Sequence, residues 1–137
     1  MASTVYNRFF FYAASKRIDW TADTLKLALL TSTYTIDRAH AAWSSVSSYE
    51  TSGTGYTAEG KTATGATLSE ATATELDASD VTWESSTITA KFAVLHNITS
   101  PNSGLVCVFE FTEDKSSSNG NFTVQFSASG LISLLQG

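Results

Sequence analysis

Thr87-Ile88-Thr89-Ala90-Lys91-Phe92-Ala93-Val94-Leu95 and, past a short break, Leu105-Val106-Cys107-Val108-Phe109-Glu110-Phe111 decide how this chain folds. In the first run Ile88, Ala90, Phe92 and Val94 recur at every second position, which predicts a strand with those four side chains on one face. The second run is apolar on both faces, which predicts a central strand covered from two sides. Between them, Pro101-Asn102-Ser103-Gly104 predicts a turn, because Pro and Gly punctuate regular structure and Asn tolerates left-handed backbone.

Working outward, Glu113 to Asn121 reads as a polar loop, Phe122-Thr123-Val124-Gln125-Phe126 as an alternating strand, and Leu131 to Leu135 as a closing apolar run. Toward the N-terminus, Leu25, Leu27 and Leu29 alternate on one face of a strand. Residues 61–69 alternate weakly through Thr62, Thr64, Ala66 and Leu68; Glu70 to Glu75 would turn the chain and Leu76 to Trp83 return it. Ser52 to Gly60 is glycine-rich and reads as an exposed loop. Ala39, Ala42, Trp43, Val46 and Tyr49 fit one short helical face, and so do Val5, Phe9, Tyr12 and Ala13, with Ser3 as a cap. A strand through Phe9 to Tyr12 is the alternative there. Several short strands with turn signals between them predict a mainly β chain: one β-sandwich or jelly-roll-like domain over residues 1–137, with 1–17 as a terminal arm or helix.

A chain of 137 residues buries roughly two thirds of its unfolded surface, enough to fold without disulfides or a structural metal. Ser and Thr together number 40 of those residues. Such a surface is polar but largely uncharged, costs little to desolvate, and suits packing against another protein. The net charge of −5, with no basic run beyond Lys16-Arg17, argues against binding nucleic acid or an anionic membrane. No segment approaches the ~20 apolar residues of a membrane span. Phe9-Phe10-Phe11-Tyr12 is too short for the apolar part of a secretion signal, so synthesis in the cytoplasm is expected. Cys107 stands alone and is expected to be a buried thiol.

Chemistry is hard to find. His40 and His96 lie far apart without the spacing of a zinc site. No Gly-x-Ser-x-Gly occurs, and Gly53-Thr54-Gly55 lacks the rest of a phosphate loop. Asp114 to Gln125 places oxygen ligands at alternate positions but has Asn119 and Gln125 where a calcium loop needs Gly and Glu. Asp77, Asp80 and Glu84 read as a solvated turn. No enzymatic activity, metal or cofactor is expected. Trp20, Trp43 and Trp83, with Tyr34, Tyr49 and Tyr56, could form a sugar-stacking face, although most large aromatics in a small domain serve the core. Four consecutive aromatics cannot all face one small core. Phe9, Phe10, Phe11 and Tyr12 are therefore the candidate protein-interface residues.

Five stretches carry a family resemblance. They are Ile18-Asp19-Trp20 leading into Asp23 to Ser32; Gly55-Tyr56-Thr57-Ala58-Glu59-Gly60-Lys61; Asp77-Ala78-Ser79-Asp80-Val81-Thr82-Trp83; Ser86-Thr87-Ile88-Thr89-Ala90; and Gly120 to Gly130. Together they resemble a family of small tailed-bacteriophage virion structural proteins, over about residues 15 to 135. The resemblance implies a phage particle protein located in the virion. By size and expected fold the chain is also similar to the jelly-roll cement or decoration proteins that clamp capsid subunits, a step that rests on analogy of fold. The expected partners are the major capsid protein or other virion proteins, and further copies of the chain in a dimer or trimer. A tail, adaptor or baseplate position is the alternative within the particle, and a carbohydrate-binding β-sandwich the alternative of another class. Deleting residues 1–14 is expected to leave a folded domain that no longer joins the particle.

Overall fold

A computed structural model describes residues 2–70, 73–99, 103–127 and 130–134. Part of the turn predicted at 101–104, the middle of the one at 70–75, and Leu135 lie outside the described residues. The elements run β1 (Ala2–Val5), α1 (Asn7–Ala14), β2 (Leu25–Leu30), β3 (Lys61–Ala63), β4 (Thr67–Glu70), β5 (Thr74–Asp77), β6 (Val81–Ser86), β7 (Thr89–Asn97), β8 (Gly104–Ser116), β9 (Gly120–Val124) and β10 (Ile132–Leu134). The protein is mainly β, and every strand pair is antiparallel. A five-stranded sheet has the order β1-β8-β7-β2-β3; a three-stranded sheet, β10-β5-β4, and a two-stranded one, β6-β9, complete the sandwich-like arrangement.

Alternation explains the main core. Leu25, Leu27 and Leu29 of β2 meet Val81 and Trp83 of β6, Phe122 and Val124 of β9, and Leu76 of β5 in one cluster between the large sheet and the two small ones. The other face of the large sheet is covered as well. Leu30, Phe92, Val94, Leu105 and Val108 form a second cluster with Tyr6, Tyr34 and Val46. The two-sided burial expected of the second run is thus present: β8 lies between β7 and β1 and feeds both clusters.

The expectation for the first run needs correction. Ile88 and Ala90 point to the main core, but Phe92 and Val94 point to the second cluster. Ala90 pairs with Lys115 while Phe92 pairs with Glu110, so Phe111 to Asp114 stand opposite Lys91 alone. A bulge of this kind shifts the phase of the alternation, and side chains beyond it exchange faces.

Other boundaries moved for related reasons. Residues 61–69 are two strands in different sheets, β3 and β4, separated by a crossing at Gly65, whose φ of +65° lies in the left-handed region. Leu76 to Trp83 likewise divides between β5 and β6. The polar run 113–121 is mostly strand, since β8 continues to Ser116. Residues 37–49 form two short 3-10 turns, Trp43–Ser45 and Ser47–Tyr49, rather than one helix. The loop 52–60 is largely exposed, yet it is tied down: Thr54 bridges Thr87, and the Tyr56 hydroxyl accepts from the Leu29 amide at 3.0 Å and donates to Glu50 at 2.7 Å.

At the N-terminus the helix is shorter than its apolar stripe. Tyr6, not Ser3, sits at its cap position, and no side chain caps it. Residues 2–5 pair with Cys107 to Glu110 as the edge of the large sheet, and the helix within residues 1–17 is Asn7–Ala14.

Candidate functional site

Helix α1 divides the four candidate aromatics by geometry. Residues three apart share a helical face. Phe9 and Tyr12 accordingly turn inward and are buried, Phe9 with its ring edge-on to Trp20 at 6.3 Å. Phe10 and Phe11 turn outward, 46% and 64% exposed. Of the four interface candidates, Phe9 and Tyr12 thus have their rings spent on the core, and Phe10 and Phe11 are the exposed pair. Two cations sit against the ring of Tyr12. The guanidinium carbons of Arg8 and Arg17 lie 5.0 and 5.4 Å from the Tyr12 ring centre, in cation–π contact, and Arg8 also donates to the Tyr12 hydroxyl at 2.9 Å. The Tyr12 ring in turn lies 6.1 Å from that of Phe11. The exposed part of the helix is thus the pair Phe10 and Phe11, with Tyr12 and its two arginines behind Phe11.

The groups able to do chemistry are occupied elsewhere. Cys107 is fully buried in strand β8, and burial pushes its thiol up, away from the reactive thiolate. His40 shares a hydrogen bond of 3.1 Å with Tyr34, whose hydroxyl meets that of Tyr6 at 2.8 Å. His96, 2% exposed, donates from Nε2 to the Glu59 carbonyl at 3.0 Å, so that nitrogen holds the hydrogen. Its ring stacks on Trp43 at 4.5 Å.

Burial lowers the pKa of His96 from the ordinary 6.5; Lys26 acts in the same direction, while the Glu59 carbonyl and carboxylate oppose it. The folded chain then holds a neutral imidazole where the unfolded chain takes up a proton. Stability from this residue is whole above pH 6.5 and falls as pH drops from there toward the lowered folded value. The thermal midpoint should decline over that interval, and less steeply in His96→Gln. Equal slopes in the two proteins would remove His96 from the account.

Half of the sugar-stacking set, Trp20, Tyr34 and Trp83, is buried, and the other half is partly buried. Trp20 and Trp83 are buried, Trp20 donating to the Asp77 carbonyl at 3.0 Å, and one face of Trp43 lies on His96. The acidic residues serve the backbone: Asp77 accepts from the Ala78 amide and Asp80 from the Phe126 amide, both at 2.8 Å. The calcium-like run 114–125 is two strands and a short connection. Among the described residues no three His, Cys, Asp or Glu are grouped to hold a metal, and no helix is long and apolar enough to cross a membrane. One open groove of about 440 Å³ runs between β8 and β9, lined by Phe111, Lys115, Phe122 and Val124 with hydroxyl and amide side chains.

Leu68, the last apolar position of the weakly alternating run 61–69, is 57% exposed on β4, an edge strand whose four residues are all exposed. Only its position on an edge could have revealed this, and single-strand periodicity does not report edges. Comparison with protein-family models, with curated proteins and with solved structures returns no match.

Proposed function

We propose that the chain is a structural component of a bacteriophage particle, a cement or decoration protein that stabilises the shell by covering surface on neighbouring capsid subunits. The observation that carries this reading is how the reactive groups are used. Cys107 is sealed in a strand, His96 is held on a carbonyl, His40 on a tyrosine, and Asp77 and Asp80 on backbone amides. What remains outside is hydroxyl groups, scattered charge and a few apolar side chains, which are means of contact. The resemblance supplies the setting. Physically, a clip that spans two subunits adds buried area at each repeat; ~1,600 Å² is the usual size of a specific interface, and repetition over a shell sums many modest contacts.

Quantitative mass spectrometry of purified particles tests the reading. A cement protein is expected in hundreds of copies, and particles lacking it should release their genome at a lower temperature. A handful of copies would move the chain to a tail or adaptor position. Absence from mature particles, or turnover of a substrate, would end the proposal.

A further inference from the structure

The turn that leads from β8 into β9 carries the one Asn-Gly pair of the chain, Asn119-Gly120. Asn119 is exposed, and its φ of +49° lies in the left-handed region, which Asn tolerates better than most residues. Its main-chain amide donates to the Thr87 hydroxyl at 3.1 Å, and the Gly120 carbonyl accepts from the Ser86 hydroxyl at 3.0 Å. The main chain is thus held on both sides of the pair. The Asn119 carboxamide is not held, since it has no hydrogen bond to any described residue. Gly120 has ordinary backbone, and a Cβ built there would meet only the Ser118 carbonyl, at 3.7 Å. Neither conformation nor crowding requires a glycine at that place. What its bare Cα does is leave the Gly120 amide nitrogen open to approach by the preceding side chain.

We propose that Asn119-Gly120 is a site of spontaneous covalent modification, at which the chain itself is the substrate and water the only co-reactant. The Gly120 amide nitrogen, once deprotonated, attacks the side-chain carbon Cγ of Asn119. An N–Cγ bond forms and the Cγ–Nδ2 bond breaks. Nδ2 leaves as ammonia, taking a proton to replace the one that the Gly120 nitrogen gave up. Water then opens the resulting five-membered imide at either of its carbonyl carbons. Opening at Cγ gives an aspartyl residue. Opening at the main-chain carbonyl carbon gives an isoaspartyl residue, whose main chain runs through Cγ and is one methylene longer. Either product adds one negative charge to the −5 of the chain, and nothing is oxidised or reduced. The other asparagines lack these conditions. Asn97 is buried, its amide group donating to Asp23 at 2.7 Å and its carbonyl accepting from the Thr99 amide at 2.8 Å, with branched Ile98 following. Asn7, Asn102 and Asn121 are followed by Arg8, Ser103 and Phe122, residues whose side chains crowd the attacking nitrogen. The reaction requires no partner, so it proceeds whether or not the chain belongs to a particle.

Peptide mapping by mass spectrometry tests this on the full chain, kept folded at mildly alkaline pH and sampled over weeks. Tryptic cleavage after Lys115 leaves Asn119 and Asn121 in one peptide, so fragment ions assign the change. Asn119 is expected to exchange its amide for a carboxyl before any other asparagine, and an isoaspartyl methyltransferase should label the product. The rate should rise with pH, because the deprotonated amide is the nucleophile. Gly120→Ala should slow the reaction by about tenfold or more, since a side chain there displaces the reacting atoms, and should melt as the parent does. Asn119→Gln, which would have to close a six-membered ring, should remove the label from this peptide and replaces Gly120→Ala as the control if that variant does not fold. Asn119 left intact in the folded chain while a urea-unfolded control converts it would show that the turn protects the pair, and would overturn the proposal. So would conversion first at Asn97 or Asn121, an unchanged rate in folded Gly120→Ala, or a label that persists in Asn119→Gln.

Discussion

Deleting residues 1–14 is expected to leave a chain that does not fold. Tyr6 has no exposed surface, Phe9 has 3% and Tyr12 has 7%. Phe9 belongs to the main core and Tyr6 to the second cluster, so the deletion opens both faces of the large sheet. Truncating one buried Phe costs about 3–5 kcal/mol, and three aromatics lost together approach or exceed the ~5–15 kcal/mol by which domains are stable. Backbone pairing adds to the loss. β1 covers Cys107 to Glu110, and the Tyr6 amide donates to the Val106 carbonyl at 3.0 Å. Removing them exposes the edge of a long apolar strand, a surface prone to aggregation. The truncated protein should be insoluble, or should lack a cooperative melt by circular dichroism. A soluble truncated chain with a normal melt would show that the segment is dispensable. The structure reverses the expectation of a detachable anchor, and it directs tests of assembly to exposed Phe11 instead.

That reversal shows what the sequence could reveal. Strands whose alternation runs unbroken, such as Leu25 to Leu29 or Phe122 to Phe126, were legible because one buried face fixes every second residue. Phe9 to Tyr12 was legible in part. The helical spacing gave the element, but it could not decide which pair of rings faced the core, because Trp20 and Gly104, against which α1 packs, approach only in the folded chain. The bulge opposite Lys91 was not legible at all. Its cause is a mismatch in length between β7 and β8, which neither strand records alone. Nor was the division of 61–69 and 76–83, since a strand that changes sheets keeps its alternating composition on both sides of the crossing. Of the candidate surface, the aromatic part announced itself through four consecutive rings.

Hydrogen bonds between distant segments hold the chain together around these crossings. Trp20 reaches the Asp77 carbonyl, Asp23 accepts from the Asn97 amide group at 2.7 Å, Asp80 holds the Phe126 amide, and Lys61 donates to the Thr82 carbonyl. Each joins segments more than 20 residues apart. Their joint effect is to fix segments that only the folded chain brings together, which no single stretch records.

Gly60 is expected to be the least replaceable glycine among the described residues. Its φ is +89°, and a Cβ built there would collide with the Leu27 carbonyl, lie 2.6 Å from its carbon and 2.7 Å from the Ala28 Cα. Nothing at that contact can rotate aside. Leu27 and Ala28 are fully buried in β2, held by β7 on one side, while Leu27 pairs with Lys61 of β3 on the other. Gly60→Ala must therefore push the start of β3 off the sheet or distort β2, and a loss of about 4 kcal/mol or more is expected, in the range of backbone strain combined with overpacking. Gly65→Ala provides the comparison. It has the same left-handed strain at φ +65°, but its obstacle is the Ser79 hydroxyl, which can turn away, so about 1–2 kcal/mol should be lost. Gly120→Ala has ordinary backbone and only the Ser118 carbonyl, at 3.7 Å, near its new methyl; within about 0.5 kcal/mol it should melt as the parent does. Urea midpoints of the three variants should fall in that order. A Gly60→Ala protein as stable as Gly120→Ala would mean that the loop does not lie against β2, and the crossing from the 52–60 loop into β3 would have to be drawn differently.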